Sequence, residues 1–291
     1  MRSSSAPERR PSSRVELDAS VLETTPPARQ PSAVLRAAIA VVVALIASVF
    51  LLFVLAPVVG LVAAGGGRGL SSLARDGELR ASLALTALTA TIATLLGVVG
   101  GTPIAYLLAR RDFRGRSIVA AAMELPLVIP HPVAGIALLL VLGRGSPMGG
   151  ALYAAGLRVA GSATGIVCAM LFVSAPLYVS AAREAFAQVD ARYESVARTL
   201  GDDVWRAFRR ITLPLAARGL TAAAVVMWAR AVSEFGAIVI LTYNPKVASV
   251  LSYDRFTSFG LSEALPVAAI VVIFALVPLA ALRMLRREVR P

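Results

Sequence analysis

The 291-residue sequence predicts an all-α, polytopic membrane protein with six transmembrane helices. Composition is the first observation behind this. AVILMFWYC residues make up 57% of the chain and charged residues only 16%, whereas a soluble domain reaches about 45–50% apolar even with glycine counted. The second is a series of six charge-poor runs, each near or above the roughly 20 residues that a helix needs to cross a bilayer. The third is the distribution of basic residues, which alternates from one connection to the next.

The elements follow in order. Residues 1–32 are rich in Ser, Pro and Arg without an apolar period, which predicts a disordered cytoplasmic tail. The run 37–67 starts too deep and is too long for a secretory h-region of about 7–15 residues, so 33–64 is assigned as the first transmembrane helix. A core domain over 79–282 holds five more. They rest on runs 81–109, 117–143 (broken only by Glu124), 159–182, 215–243 (carrying Arg218, Arg230 and Glu234) and 264–282. The tail, the second-to-third and fourth-to-fifth connections and the C-terminus together hold 21 of the 29 basic residues; the opposite connections hold 7. Arginine and lysine concentrate on cytoplasmic loops, so both termini are expected in the cytoplasm, with the chain in the cell membrane.

Composition also excludes. One cysteine, Cys168, and one histidine, His131, rule out a disulfide framework, a cysteine-based zinc site and a multi-histidine metal site. A net charge of +12 would suggest nucleic acid in a soluble protein; in this apolar chain it reflects asymmetry across a membrane. No Gly-x-x-x-x-Gly-Lys-Ser/Thr phosphate loop is present, and the single lysine, Lys246, precedes Val247. No cofactor is expected in this chain, and any ATP hydrolysis falls to another polypeptide.

The fourth-to-fifth connection, residues 183–214, is too long for a simple connector. Residues 184–200 lack Gly and Pro and predict one helix. Gly201 breaks it, and a second short helix is expected from near Asp202 to Ile211, ended by Pro214. Trp205 and Phe208, three apart, predict one aromatic face. That face is either a membrane-surface contact or a docking surface for a cytoplasmic partner.

The segment Ser195-Val-Ala197-Arg-Thr-Leu-Gly201, followed after nine residues by Ile211-Thr-Leu213-Pro214, resembles the EAA loop of ABC importer permeases. Ser195 stands where that family has Glu, Val196 where it has the first Ala, and Glu194 lies one position early. The resemblance implies the type I ABC importer permease fold and a coupling helix between Gly201 and Pro214 that fits the ATP-binding subunit. Two further stretches, 124–139 (Glu-Leu-Pro-Leu-Val-Ile-Pro-His-Pro-Val-Ala-Gly-Ile-Ala-Leu-Leu) and 230–236 (Arg-Ala-Val-Ser-Glu-Phe-Gly), are similar to molybdate, tungstate and sulfate permeases. Residues 243–260 look most like the molybdate/tungstate branch. The implied partners are two ATP-binding subunits, an extracytoplasmic oxyanion-binding protein and a second copy of the chain. A sulfate or other anion permease, and an ion-gradient-driven secondary transporter, are the alternatives.

Pathway candidates are Pro130, His131, Arg230, Ser233 and Glu234. Pro126, Pro130 and Pro132 remove amide donors, so the third span should bend or unwind there. His131 is either an anion contact or hydrogen-bonded structure. Arg230 and Glu234, four apart, share a helical face and are either a structural ion pair or part of an anion pathway. Glu124 is expected to pair with a nearby arginine.

Overall fold

A computed structural model describes residues 32–287. The chain divides into two units, Met1–Leu55 and Ala56–Pro291. The expected tail lies, apart from Ser32, outside the described residues. In the first unit these residues form the start of helix α1 (Ala33–Arg75). Its large apolar side chains, among them Val41, Leu45, Phe50 and Leu52, are exposed, as suits a lipid-facing helix. The helix runs to Arg75, eleven residues beyond the expected end at 64. Within the second unit its extension packs closely. Gly65 and Gly69 lie against the backbone of Leu265 and Pro266, leaving no room for a side chain.

Helices α2 (Gly77–Arg110), α6 (Ala163–Ala187) and α9 (Leu213–Val232) form the centre of the second unit. Asp76 caps α2 by accepting the Leu79 amide. Small residues allow the close crossing: Gly97 sits under Met227 and Gly101 under Tyr178. Hydroxyls of Thr86, Thr89 and Thr94 return to carbonyls one turn back, so these buried groups need no water.

The third run forms two helices, α3 (Arg116–Val128) and α4 (His131–Leu142), bent by 115°. Pro126 stays inside α3, and the break falls at Ile129–Pro130. Ile129, preceding a proline, is extended, and Pro132 sits in the first turn of the new helix. A short α5 (Pro147–Ala154) leads to α6. Four described helices are long and apolar enough to cross a membrane, and the bent pair makes a fifth. The sixth expected span falls in α12 (Leu261–Arg287), whose apolar stretch is Leu261–Leu276. No strand occurs among the described residues.

Two expectations are corrected here. The fifth run is not one helix: α9 ends at Val232, and α10 (Gly236–Leu241) starts after a three-residue break. Residues 184–200 are not one helix either. α6 ends at Ala187 and α7 (Ala191–Thr199) begins afresh, because Asp190 takes the Arg192 amide and Val189 gives its carbonyl to Arg110. α11 (Ala248–Phe259) then packs on α12, joined to it through Gly260 at φ +83°.

Candidate functional site

The broken spans meet at one polar cluster. α4 begins with His131 and α10 with Gly236, and the two helices pack with almost no spacing. A methyl on Gly236 would lie 2.6 Å from His131 Cβ, and one on Gly135 2.7 Å from the Ala237 carbonyl oxygen. Glu234, in the α9–α10 break, is 1% exposed and fully engaged. One carboxylate oxygen accepts the Ala237 amide at 2.9 Å, capping the new helix. The other is 2.8 Å from Arg230 Nη2 and 2.7 Å from His131 Nδ1. Ser249 donates to the Glu234 carbonyl at 2.7 Å.

Arg230 and Glu234 therefore pair, but across a helix end and not along one face, since α9 stops between them. Arg230 Nη2 also lies 2.8 Å from His131 Nδ1 and 2.9 Å from Nε2, so the guanidinium stands against the imidazole ring and not in line with one nitrogen. Glu234 is sealed, whereas the Arg230 and His131 side chains are 24% and 39% exposed. The cluster thus presents guanidinium and imidazole outward and keeps its carboxylate behind them. Arg230 has N–H groups beyond those used by Glu234 and His131; Ser233 Oγ lies 3.4 Å from Nη1. Pro130 and Ser233 are exposed beside the cluster. Glu124 is exposed on α3 and forms no ion pair among the described residues, contrary to expectation.

The second candidate region lies at the far end of α6. α7 ends in a Schellman motif: the Asp202 amide reaches the Ala197 carbonyl and the Gly201 amide that of Arg198. Gly201, at φ +102°, supplies the left-handed residue that this ending requires. Asp203, not Asp202, caps α8 (Val204–Ala207) through the Arg206 amide. Pro214 does not end the helix. A π turn (Phe208–Thr212), in which the Leu213 amide reaches back to Phe208, joins α8 to α9. The result is one continuous helix, Val204–Val232, in which Pro214 sits within the first turn of α9.

Trp205 and Phe208 stack at 5.5 Å, yet they do different work. Trp205 is 62% exposed. Phe208 turns inward against Tyr106 (4.8 Å) and Phe186 (6.1 Å), anchoring the loop to the bundle. Ser195 and Pro214 are exposed, Ala197 is buried, and Ile211 and Leu213 are half-buried. Glu194, which the sequence placed one position early for the family carboxylate, is the inward-facing acid of the loop. Its carboxylate accepts from Tyr106 (2.9 Å) and from Thr212, and lies 3.4 Å from Arg110 Nε. The signal was present: Glu194 is three residues before buried Ala197 and so shares its inward face, whereas Ser195 does not.

Solved structures of ABC transporters share this fold. A bacterial ABC transporter involved in alginate import matches with a TM-score of 0.67 at 18% identity, covering 88% of this chain and 97% of that one. The MetNI methionine ABC transporter, in inward-facing conformations, matches with 0.59 at 16% identity, covering 73% and 96%. At such identities the likeness concerns the fold. Residues 101–290 match the family described as binding-protein-dependent transport system inner membrane component, and the chain belongs to that family. A molybdate/tungstate transport system permease protein of Thermococcus kodakarensis is 45% identical over 189 residues, 65% of this chain and 71% of the relative. A probable molybdenum ABC transporter permease protein of Haloferax volcanii is 38% identical over 229 residues, 78% and 83%. The molybdenum transport system permease protein ModB of Escherichia coli K12 is 39% identical over 170 residues, 58% and 74%.

Proposed function

We propose that this chain is the transmembrane subunit of an ATP-driven importer that moves a tetrahedral oxyanion, molybdate or tungstate, into the cytoplasm. The observation that carries the reading is the Arg230 guanidinium, outward-facing at the junction of two broken spans and backed by sealed Glu234. Broken helices at membrane depth are tolerated where they line a cavity, and a planar guanidinium suits an oxyanion. Glu234 offsets part of the positive charge, which favours release over tight retention. The choice of anion is supported by the names of the relatives. A sulfate permease is the second reading, supported by a 30% identical relative in Chlorokybus atmophyticus named as a probable sulfate transport system permease.

In this reading two copies of the chain enclose the pathway, two ATP-binding subunits dock at the α7–α8 loop, and a binding protein delivers the anion from outside. Both termini are cytoplasmic and the membrane is the cell membrane. ATP binding draws the two docking loops together and shifts the population toward the outward-open state; hydrolysis, on the partner subunits, restores the inward state. The test is uptake into vesicles holding the permease, its ATPase and its binding protein, with molybdate, tungstate and sulfate compared. ATP-dependent uptake of the first two supports the reading; uptake of sulfate alone favours the second, and uptake without ATP refutes both.

A further inference from the structure

Arg144, Tyr153 and Arg158 line a cavity of about 430 Å³ at the N-terminal end of α6, the opposite end from the α7–α8 loop. Its volume falls in the range of small-molecule sites, about 300–1,000 Å³. Arg144 follows α4, Tyr153 lies on α5, and Arg158 leads into α6. The guanidinium carbon of Arg144 is 4.1 Å from the Tyr153 ring centroid and that of Arg158 is 5.7 Å away. Two like charges thus converge on one ring, although their mutual repulsion opposes it.

Neither guanidinium has a carboxylate within ion-pair distance or a side-chain hydrogen bond among the described residues. Both arginines are exposed, whereas two half-buried cations elsewhere in the unit are paired. Arg255 reaches Asp76 and Glu78, and Lys246 reaches Glu78 and Asp254. The cavity wall continues through Val159 to Gly161, just before the start of α6. Positive potential therefore comes from two guanidinium groups, and no acidic side chain lines the cavity.

We infer that this cavity binds a tetrahedral oxyanion group between Arg144 and Arg158, as a station apart from the Arg230 cluster. Guanidinium N–H forks match such oxygens in pairs. The placement of the station on the entry side rests on the proposed function. A free anion and the phosphate of a lipid headgroup share this chemistry.

The test uses the full permease–ATPase complex in nanodiscs, without binding protein, comparing wild type with the R144Q/R158Q double variant. In neutral phosphatidylcholine, radiolabelled molybdate binding is measured by equilibrium dialysis, with sulfate and phosphate in parallel. The double variant should lose at least about tenfold in affinity for one saturable component, the size expected when charge-assisted hydrogen bonds are removed. In a second arm, retention of phosphatidylglycerol is measured by native mass spectrometry. Arginine-dependent binding in the first arm identifies the free anion as the ligand; arginine-dependent retention in the second alone identifies the headgroup. Equal behaviour of variant and wild type in both arms overturns the inference. With the binding protein added back in a third arm, a variant that loses only affinity for that protein also overturns the inference, because the arginines then serve protein docking. A wild type that binds sulfate or phosphate here but not molybdate keeps the site and counts against the choice of molybdate or tungstate.

Discussion

Trp205 and Arg230 ride on one uninterrupted helix, Val204–Val232. Their separation of 25 positions corresponds to about 38 Å of helix. A displacement at the exposed Trp205 end is therefore carried toward the polar cluster at the other end without passing through a loop. The π turn and Pro214 lie near the start of this rod, where a wide turn accommodates the missing amide. On the proposed function, docking at the first residue and anion contact at the last are mechanically one element.

Trp205 and Phe208 should separate experimentally. Trp205→Ala removes an exposed side chain and should reduce co-purification of the ATPase subunit while leaving the permease as stable as wild type. Phe208→Ala removes an aromatic packed between Tyr106 and Phe186. It should cost about 3 kcal/mol of stability, the low end for a buried Phe, seen as a lower thermal unfolding midpoint in detergent. Equal ATPase recovery from wild type and Trp205→Ala would remove the docking role.

Glu194, and not position 195, should carry the loop's carboxylate function. Glu194→Gln keeps the shape but removes the charge facing Arg110, and should lower transport coupled to ATP hydrolysis severalfold while hydrolysis continues. Ser195→Glu adds a charge at an exposed position and should leave coupling within about twofold, consistent with small effects at exposed sites. Transport per ATP hydrolysed is the measurement, and a larger effect from Ser195→Glu than from Glu194→Gln would reverse the assignment.

Most spans were legible because apolar length is a one-dimensional signal. The break in the third span was legible as well, since Pro130 and Pro132 act on the local backbone. The break in the fifth was not. No proline marks it, and it exists because Glu234 caps Ala237, where Asp, Asn, Ser or Thr is the usual cap, and because Gly236 admits His131, a contact that needs α4 in place. His131 lies 99 residues from Arg230 and 103 from Glu234, so periodicity could not choose between its two readings. The inward turn of Phe208 also depends on partners distant in sequence, Tyr106 and Phe186.

The α11 ion network should respond to acid. The Lys246 ammonium beside Asp254, and then the Tyr243 hydroxyl, hold the Asp254 carboxyl below its ordinary value. A carboxyl lowered on folding contributes stability that is present above its unfolded pKa, near 4. That contribution is lost as pH falls through the lower, folded value. Thermal unfolding between pH 7 and about 3 should show a steeper acid loss for wild type than for Asp254→Asn. Parallel curves would show that the network adds no pH-dependent stability.

Topology can be read by cysteine labelling once Cys168 is replaced. Ser71, near the C-terminal end of α1, and Ala151, within α5, are exposed, and cysteines there should react from outside intact cells. Ala207 is 1% exposed and a poor reporter for the other side. Arg206, next to it and exposed, should label only after permeabilisation. A cysteine at Arg206 that reacts in intact cells would invert the assignment of the α7–α8 loop.

The Arg230–Glu234 pair offers the most direct test of the pathway. Arg230→Leu alone leaves Glu234 sealed with no cation beside it except through His131, and breaking such a buried pair costs about 3–5 kcal/mol. Loss of uptake by that single variant therefore cannot separate folding from transport. The double change Arg230→Leu with Glu234→Leu removes both charges and leaves neither unpaired, at a cost that apolar replacement of ion pairs often makes small. It does remove the cap on Ala237, worth about 1 kcal/mol, which assembly should withstand. If Arg230 is only half of a structural pair, the assembled double variant should take up oxyanion normally. If Arg230 contacts the anion in transit, the same variant should assemble with its ATPase yet lose at least about tenfold in uptake, as expected when a charge-assisted hydrogen bond is removed. Oxyanion uptake in vesicles, normalised to assembled complex, decides between the two.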